Sequence, residues 1–338
     1  MHTAEYFRKK PDGAVVCTLC PHQCIIKPDQ YGTCGARVNH AGELFAATWG
    51  KVTALHNDPI EKKPLYHFHP GSMILSVGSF GCNMNCSFCQ NHHISQPEAL
   101  EKLPYKSCSP HEIVELAEQL PGNSGISYTY NEPSVWYEFM MDIAIPAKEK
   151  GLKNVAVSNG FINPEPLGRL LEVIDAFNID LKGFTSEFYK ERTGSELKPV
   201  LKNLKTIADR GNHLEITHLV IPGLNDNRES FWEMVKWISN ELGRFVPLHI
   251  SRYFPNYKLA LEPTPLDTMY NFYEIAREHL AWVYLGNVHS QAGVSDTHCP
   301  HCGITVIERG GYATGLKNAR ADGKCSKCKF QIFKTHTP

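Results

Sequence analysis

Eleven of the twelve cysteines in this 338-residue chain fall into three tight clusters, and that pattern constrains the fold more than any other feature. The clusters are Cys17, Cys20, Cys24 and Cys34; Cys82, Cys86 and Cys89; and Cys299, Cys302, Cys325 and Cys328, with Cys108 standing alone. Spacings of two and three residues suit metal ligation, because neighbouring thiolates on one turn can reach a common centre. Disulfide frameworks belong to short secreted chains, and the start MHTAEYFRKKPDG has no apolar stretch of the secretory kind. The expectation is therefore a cytoplasmic metalloprotein with three metal sites.

Between the terminal clusters the chain alternates strand-like and helix-like segments. Apolar runs at 73–79, 125–130, 154–158, 176–181, 213–221, 247–251 and 282–285 read as strands, with helical stretches between most of them. Ser109-Pro110 with Glu112 is a capping box, Asn163-Pro164 and Thr264-Pro265 open two further helices, and 228–242 is amphipathic. Six or seven such units imply an α/β fold whose parallel sheet curls into a partial or complete barrel. Chemistry then belongs on the loops after the strands. The expected division is a Cys-rich subdomain over 1–70, the barrel over 71–290 and a metal-binding domain over 291–338. A net charge of −1 with 20% charged residues argues against a nucleic-acid grip. No apolar run reaches the ~20 residues that span a bilayer.

The central motif, GCNMNCSFCQN at 81–91, has the spacing C-x3-C-x2-C directly after the first barrel strand. Three thiolates on one loop can hold three irons of a cubane, leaving the fourth iron open to a small molecule. A zinc site that borrows His92 or His93 is the alternative, although structural zinc ordinarily takes four protein ligands. The C-terminal cysteines form two C-x2-C knuckles 22 residues apart, a set for tetrahedral zinc or for iron as in rubredoxin. The N-terminal C-x2-C-x3-C-x9-C set is less regular; structural zinc is the first expectation there and an auxiliary iron–sulfur cluster the second.

The C-x3-C-x2-C motif, with aromatic Phe88 before its last cysteine, resembles the signature of the radical S-adenosylmethionine (SAM) superfamily. The resemblance implies a partial (β/α)6-type barrel, a [4Fe-4S] cluster on Cys82, Cys86 and Cys89, and SAM as its ligand. Reductive cleavage would give a 5′-deoxyadenosyl radical that abstracts hydrogen. Asn131 and Glu132, in Tyr130-Asn131-Glu132-Pro133, stand where the superfamily has a Gly-Gly-Glu-Pro-like segment, both glycines being replaced. Glu132 would accept from the SAM ammonium or, alternatively, cap a helix. Ser158 and Asn159 would face ribose or carboxylate, with a polar turn as the alternative. Asp180 and Lys182, in Asp-Leu-Lys, and the segment VIPGLND at 220–226 resemble pyruvate formate-lyase activating enzymes. The activases' Leu-Pro-Tyr-His segment is replaced by Ser251-Arg252-Tyr253-Phe254-Pro255, which leaves Arg252 as a candidate anion or substrate contact, with a surface ion pair as the alternative.

CTLCPHQC, GTCGAR, YTYNEPSVWYEF, HISRYFPNYK and VYLGNV together resemble the radical SAM enzymes of the AmmeMemoRadiSam system over nearly the full length. That resemblance implies Memo-like and AMMECR-like partners and a reductant such as flavodoxin or ferredoxin. The substrate would be a protein glycine or a small molecule, and the extra terminal domains suggest a site covered differently from that of a minimal activase. The competing reading is a zinc-ribbon binding module in which all metal is structural.

Overall fold

The computed structural model describes residues 1–96, 103–288 and 294–334, so the expected boundary at 290/291 lies outside the described residues. Eight strands form one sheet in chain order: β1 (Ala54–Pro59), β2 (Met73–Gly78), β3 (Asn123–Tyr128), β4 (Lys153–Ser158), β5 (Ala176–Asp180), β6 (His213–Val220), β7 (Leu248–Arg252) and β8 (Val283–Gly286). β2 to β8 are mutually parallel, whereas β1 pairs antiparallel with β2. Six crossovers carry the helices Pro110–Gln119, Tyr137–Glu149, Pro164–Val173, Leu197–Asp209, Arg228–Trp237 and Leu266–Arg277. β1 and β8 are the two ends of this order, so the sheet is an open, partial barrel.

The strands form where β-branched and aromatic residues are buried on both faces, as parallel sheets covered by helices require. The crossover helices bury one stripe. Leu197, Val200, Leu204 and Ile207 recur at helical spacing on the buried side of Leu197–Asp209. Truncating Leu204, which is fully buried, to Ala would cost about 2–5 kcal/mol. The capping box is realised: Ser109 Oγ accepts from the Glu112 amide while the Glu112 carboxylate accepts from the Ser109 amide. Asn163 stands at the expected N-cap, yet its side chain donates instead to the Thr18 carbonyl at 2.8 Å and ties the N-terminal region to the barrel.

The termini attach differently. Two small antiparallel sheets, His2–Thr3 with Glu43–Ala46 and Arg37–His40, and Phe7–Lys9 with Val15–Cys17 and Ile25–Ile26, make up the N-terminal part. Its Val15, Leu19, Ile26 and Leu44 are buried in the same apolar core as the barrel helices. The C-terminal strands Thr297–His298, Thr305–Gly310 and Ala313–Leu316 instead close over a core of their own, to which the barrel lends Tyr66, Trp282 and Tyr284. That core lies against the N-terminal ends of the barrel strands, away from the strand ends where chemistry is expected. None of the described residues of that domain borders the cavity at the C-terminal strand ends.

Candidate active site

The C-terminal strand ends surround a cavity of about 560 Å³. Its walls take residues from every parallel strand end in turn. Cys82, Cys86, Phe88 and Cys89 follow β2, Asn131 and Glu132 follow β3, and Ser158 and Asn159 close β4. Asp180 and Lys182 close β5, Thr217 and Leu219 lie on β6, Ser251 on β7 and Asn287 after β8. Every cofactor-binding residue expected from the sequence thus borders one space.

The loop carrying the three cysteines is fixed by neighbouring side chains. Asn131 Oδ1 accepts from the Ser79 amide at 3.0 Å and its Nδ2 donates to the Gly81 carbonyl at 2.9 Å, pinning the turn into the motif. Asn83 donates to the Phe161 carbonyl at 2.6 Å, and Asn159 Nδ2 donates to Asn83 Oδ1 at 2.9 Å while lying 3.7 Å from Cys82 Sγ. Gly81 has φ +88°, and a Cβ there would lie 2.4 Å from the Cys34 carbonyl oxygen, so only glycine fits the crossing.

Glu132 joins two strand ends. Its Oε1 accepts from Ser158 Oγ at 2.8 Å and from the Ser134 amide at 3.0 Å, and its Oε2 accepts from the Asn159 amide at 2.8 Å. The helix-cap alternative is therefore realised, and the carboxylate still borders the cavity with acceptor capacity left over. Burial raises its pKa against those donors.

Lys182 Nζ donates to Asp180 Oδ2 at 2.9 Å. Burial opposes the lysine charge, but Asp180 and the Cys86 sulfur outweigh it and hold the ammonium above its ordinary value. The Cys86 thiol is pushed up to about 12 by burial, against Lys182, and Cys82 is raised well above the thiol range by burial and by Glu132.

The segment 76–238 matches the model of the radical SAM superfamily. Across 98% of its length the chain is 43% identical to an uncharacterized protein, MJ0808, of Methanocaldococcus jannaschii, covering 97% of that protein. This chain belongs to the radical SAM superfamily.

Similarity to a named enzyme is more distant. The pyruvate formate-lyase-activating enzyme of Streptococcus mutans is 26% identical over 201 residues, 55% of this chain and 75% of that enzyme. Among solved structures, a radical SAM methyltransferase from Sphaerobacter thermophilus superposes with a TM-score of 0.50 at 14% identity, covering 64% of this chain and 67% of that one; this bears on the fold alone. Family membership implies a [4Fe-4S] cluster and SAM. The residues fit them: three buried or half-buried sulfurs of one loop border a cavity whose other walls offer a carboxylate, an ammonium, a hydroxyl and amides.

The structure also brings in residues the sequence did not mark. Asp58, at the end of β1, accepts from Lys63 Nζ at 2.7 Å, Lys62 Nζ at 2.9 Å and Tyr130 OH at 2.5 Å. Lys62, Lys63 and Tyr130 line the cavity, and Lys63 Nζ sits 4.6 Å over the Tyr130 ring. Burial pushes Lys63 down to about 8 even with Asp58 beside it. Tyr130 has φ +73°, in the region that favours glycine, at a place where the superfamily has one; Asp58 and the Asn91 amide, which donates to the Tyr130 carbonyl at 2.7 Å, hold it there. No local motif announces this group, although a non-glycine at a glycine position is a signal in retrospect. Arg252 is committed elsewhere, donating to the Thr264 carbonyl at 2.7 Å and stacking on Phe254, and neighbouring Ser251 borders the cavity instead. Asn225 of VIPGLND donates to the Lys182 carbonyl at 2.8 Å, which fixes the lysine backbone.

At the other end of the barrel the four C-terminal cysteine sulfurs all lie within 4.8 Å of one another, with Cys299 and Cys328 3.4 Å apart and Cys302 and Cys325 3.7 Å apart. Backbone N–H groups of His301 and Cys302 point at Cys299, and those of Lys327 and Cys328 point at Cys325, the same pattern in both knuckles. A tetrahedral ion with metal–sulfur bonds of about 2.3 Å fits sulfurs about 3.8 Å apart.

Proposed function

We propose that this chain is a SAM-cleaving radical enzyme whose substrate enters the cavity at the strand ends. The observation that carries the reading is the convergence of Cys82, Cys86 and Cys89 with Glu132, Ser158, Asn159, Asp180 and Lys182 around one space. Cys82, Cys86 and Cys89 would hold a [4Fe-4S] cluster, which when bound would supply the electron for reductive cleavage of SAM and so the means of hydrogen abstraction from the substrate. Lys182 and Asp180 offer opposite charges to the carboxylate and ammonium of the SAM amino-acid end. Ser158 and Asn159 offer hydroxyl and amide groups to its ribose. Phe88, buried beside the cysteines, lines the same space and would keep water out of it.

The distant likeness to activating enzymes favours abstraction from a protein glycine; a small-molecule substrate would fit the same chemistry. A flavodoxin- or ferredoxin-like reductant and Memo-like and AMMECR-like partners accompany this reading, as do a cytoplasmic setting and zinc at the C-terminal cysteines. Among the described residues no helix is long and apolar enough to cross a membrane.

The test is anaerobic incubation of cluster-loaded protein with SAM and dithionite, with mass-spectrometric detection of 5′-deoxyadenosine and Cys86→Ala as control. Product from wild type alone supports the reading. Equal yields from wild type and Cys86→Ala, or no SAM binding by fully loaded protein, would remove it.

A further inference from the structure

The four N-terminal cysteines border one internal cavity together with Arg37. Arg37 is 1% exposed and heavily constrained: Nη1 donates to the Glu5 carbonyl at 2.7 Å and Nη2 pairs with Glu138. Its Nε is buried with no hydrogen-bond partner. The same guanidinium hydrogen-bonds Cys17 and acts electrostatically on Cys17 and Cys34, so a buried positive charge faces the sulfurs and favours an anionic group there.

Sulfur spacing distinguishes the candidate occupants. Among the described residues only the C-terminal set gathers three or more ligand atoms within 4.8 Å of one another. Cys17, Cys20, Cys24 and Cys34 do not close to single-ion spacing, and neither do Cys82, Cys86 and Cys89. A mononuclear tetrahedral ion draws its sulfurs to about 3.8 Å. A polynuclear cluster binds one thiolate per iron, so its ligands stand further apart. Neither the N-terminal set nor the radical SAM cysteines bring three sulfurs within 4.8 Å of one another.

Its position adds a second observation. The Cys34 carbonyl accepts the Cys82 amide at 3.2 Å, across the Gly81 position where no side chain fits. His22, between Cys20 and Cys24, bonds the Asn83 carbonyl at 2.7 Å. The two cysteine loops are thus joined backbone to backbone.

We propose that Cys17, Cys20, Cys24 and Cys34 hold a second iron–sulfur cluster, ligated by four thiolates and adjoining the SAM-binding one. The assignment of the second site stands on its own geometry; its closeness to a SAM-binding cluster rests on the function proposed above.

The test uses the full chain reconstituted anaerobically with iron and sulfide and freed of loosely bound metal. Iron, acid-labile sulfide and zinc are then counted per chain. The triple variant Cys82→Ala, Cys86→Ala, Cys89→Ala is expected to keep matched iron and sulfide, about half of the wild-type amount if both clusters are cubanes. The double variant Cys20→Ala, Cys24→Ala is expected to lose the complementary share while keeping an iron–sulfur EPR signal that responds to SAM. Loss of all iron and sulfide from the triple variant, or zinc in place of iron at the N-terminal set, overturns the proposal. Should the triple variant match wild-type iron, the second cluster stands and the central cysteines lose their assigned role.

Discussion

The two ends of the barrel both bury charge and cysteines, and they handle them in opposite ways. At the N-terminal strand ends, Glu215 is fully buried and its oxygens accept from His249 at 2.7 Å, His213 at 2.9 Å and the backbone amides of Tyr66 and His67 at 3.0 and 2.7 Å. His67 bonds the Ile332 carbonyl and Tyr284 OH, and Tyr284 reaches Thr297, so the network runs into the C-terminal domain. Burial alone would raise the Glu215 pKa, but the two histidines overcome it and hold the carboxylate well below its usual range. At the C-terminal strand ends, Glu132, Lys182 and the cysteines make enough bonds to fix their positions and still face open space. A polar cluster closed on itself stabilises; one held rigid but incompletely satisfied is available to a ligand.

The sharpest way to break this contrast is to damage each end separately. Cys86→Ala should abolish 5′-deoxyadenosine formation while the denaturant midpoint moves little. Glu215→Ala leaves four donors facing nothing and should destabilise by about 3–5 kcal/mol in denaturant unfolding. Protein that remains folded should bind SAM with unchanged affinity. Lost SAM binding in Glu215→Ala would mean that the two ends are coupled.

Cys302→Ser sharpens the same point at the metal. Binding energy at a structural site is folding energy, so hydrogen exchange at 297–316 should rise sharply. SAM cleavage per loaded cluster should persist, and loss of turnover from an intact fold would assign the C-terminal metal a redox role.

Acid should act on buried histidines next. Burial pushes His67 down to about 3 and His218 to about 4, so the unfolded chain takes up protons below about pH 6.5 that the native state refuses. Stability is therefore full above that pH and falls as pH drops toward 4, by about 1.4 kcal/mol per pH unit for each histidine. Glu215 adds to the loss only below the ordinary carboxylate range, as its depressed pKa requires. His67→Gln should remove one histidine's share of the slope in urea unfolding at stepped pH, and an unchanged slope would contradict the assignment. The smallest effect belongs to Ser158→Ala, which removes one of three donors to Glu132 and should cost about 1 kcal/mol in stability.

Much of the cavity end was legible in the sequence because its residues sit in local motifs at the ends of apolar runs. Cys82, Cys86 and Cys89 share eight residues of chain, and Asp180 and Lys182 directly close a strand. What was not legible needed a distant partner. β1 carries Asn57, Asp58 and Pro59, poor strand formers that no apolar run marks, and it can form by pairing with β2 because as the sheet's edge strand it tolerates the proline. Asp58 and Tyr130 are 72 residues apart and meet only through that pairing. Glu215 looks like an unexplained charge in a strand until β7 and the 64–69 segment supply its donors. The expected strand at 125–130 is observed at Asn123–Tyr128, since Tyr130 turns left-handed to leave the sheet.

The most direct test of the division between the two ends is EPR of the chemically reduced, fully iron-loaded protein with and without SAM. The predicted result is a signal that shifts on SAM addition in wild type and in Cys302→Ser and is missing from Cys86→Ala. A spectrum that SAM leaves unchanged in wild type carrying its full iron would contradict the assignment of the cavity end as the site of chemistry.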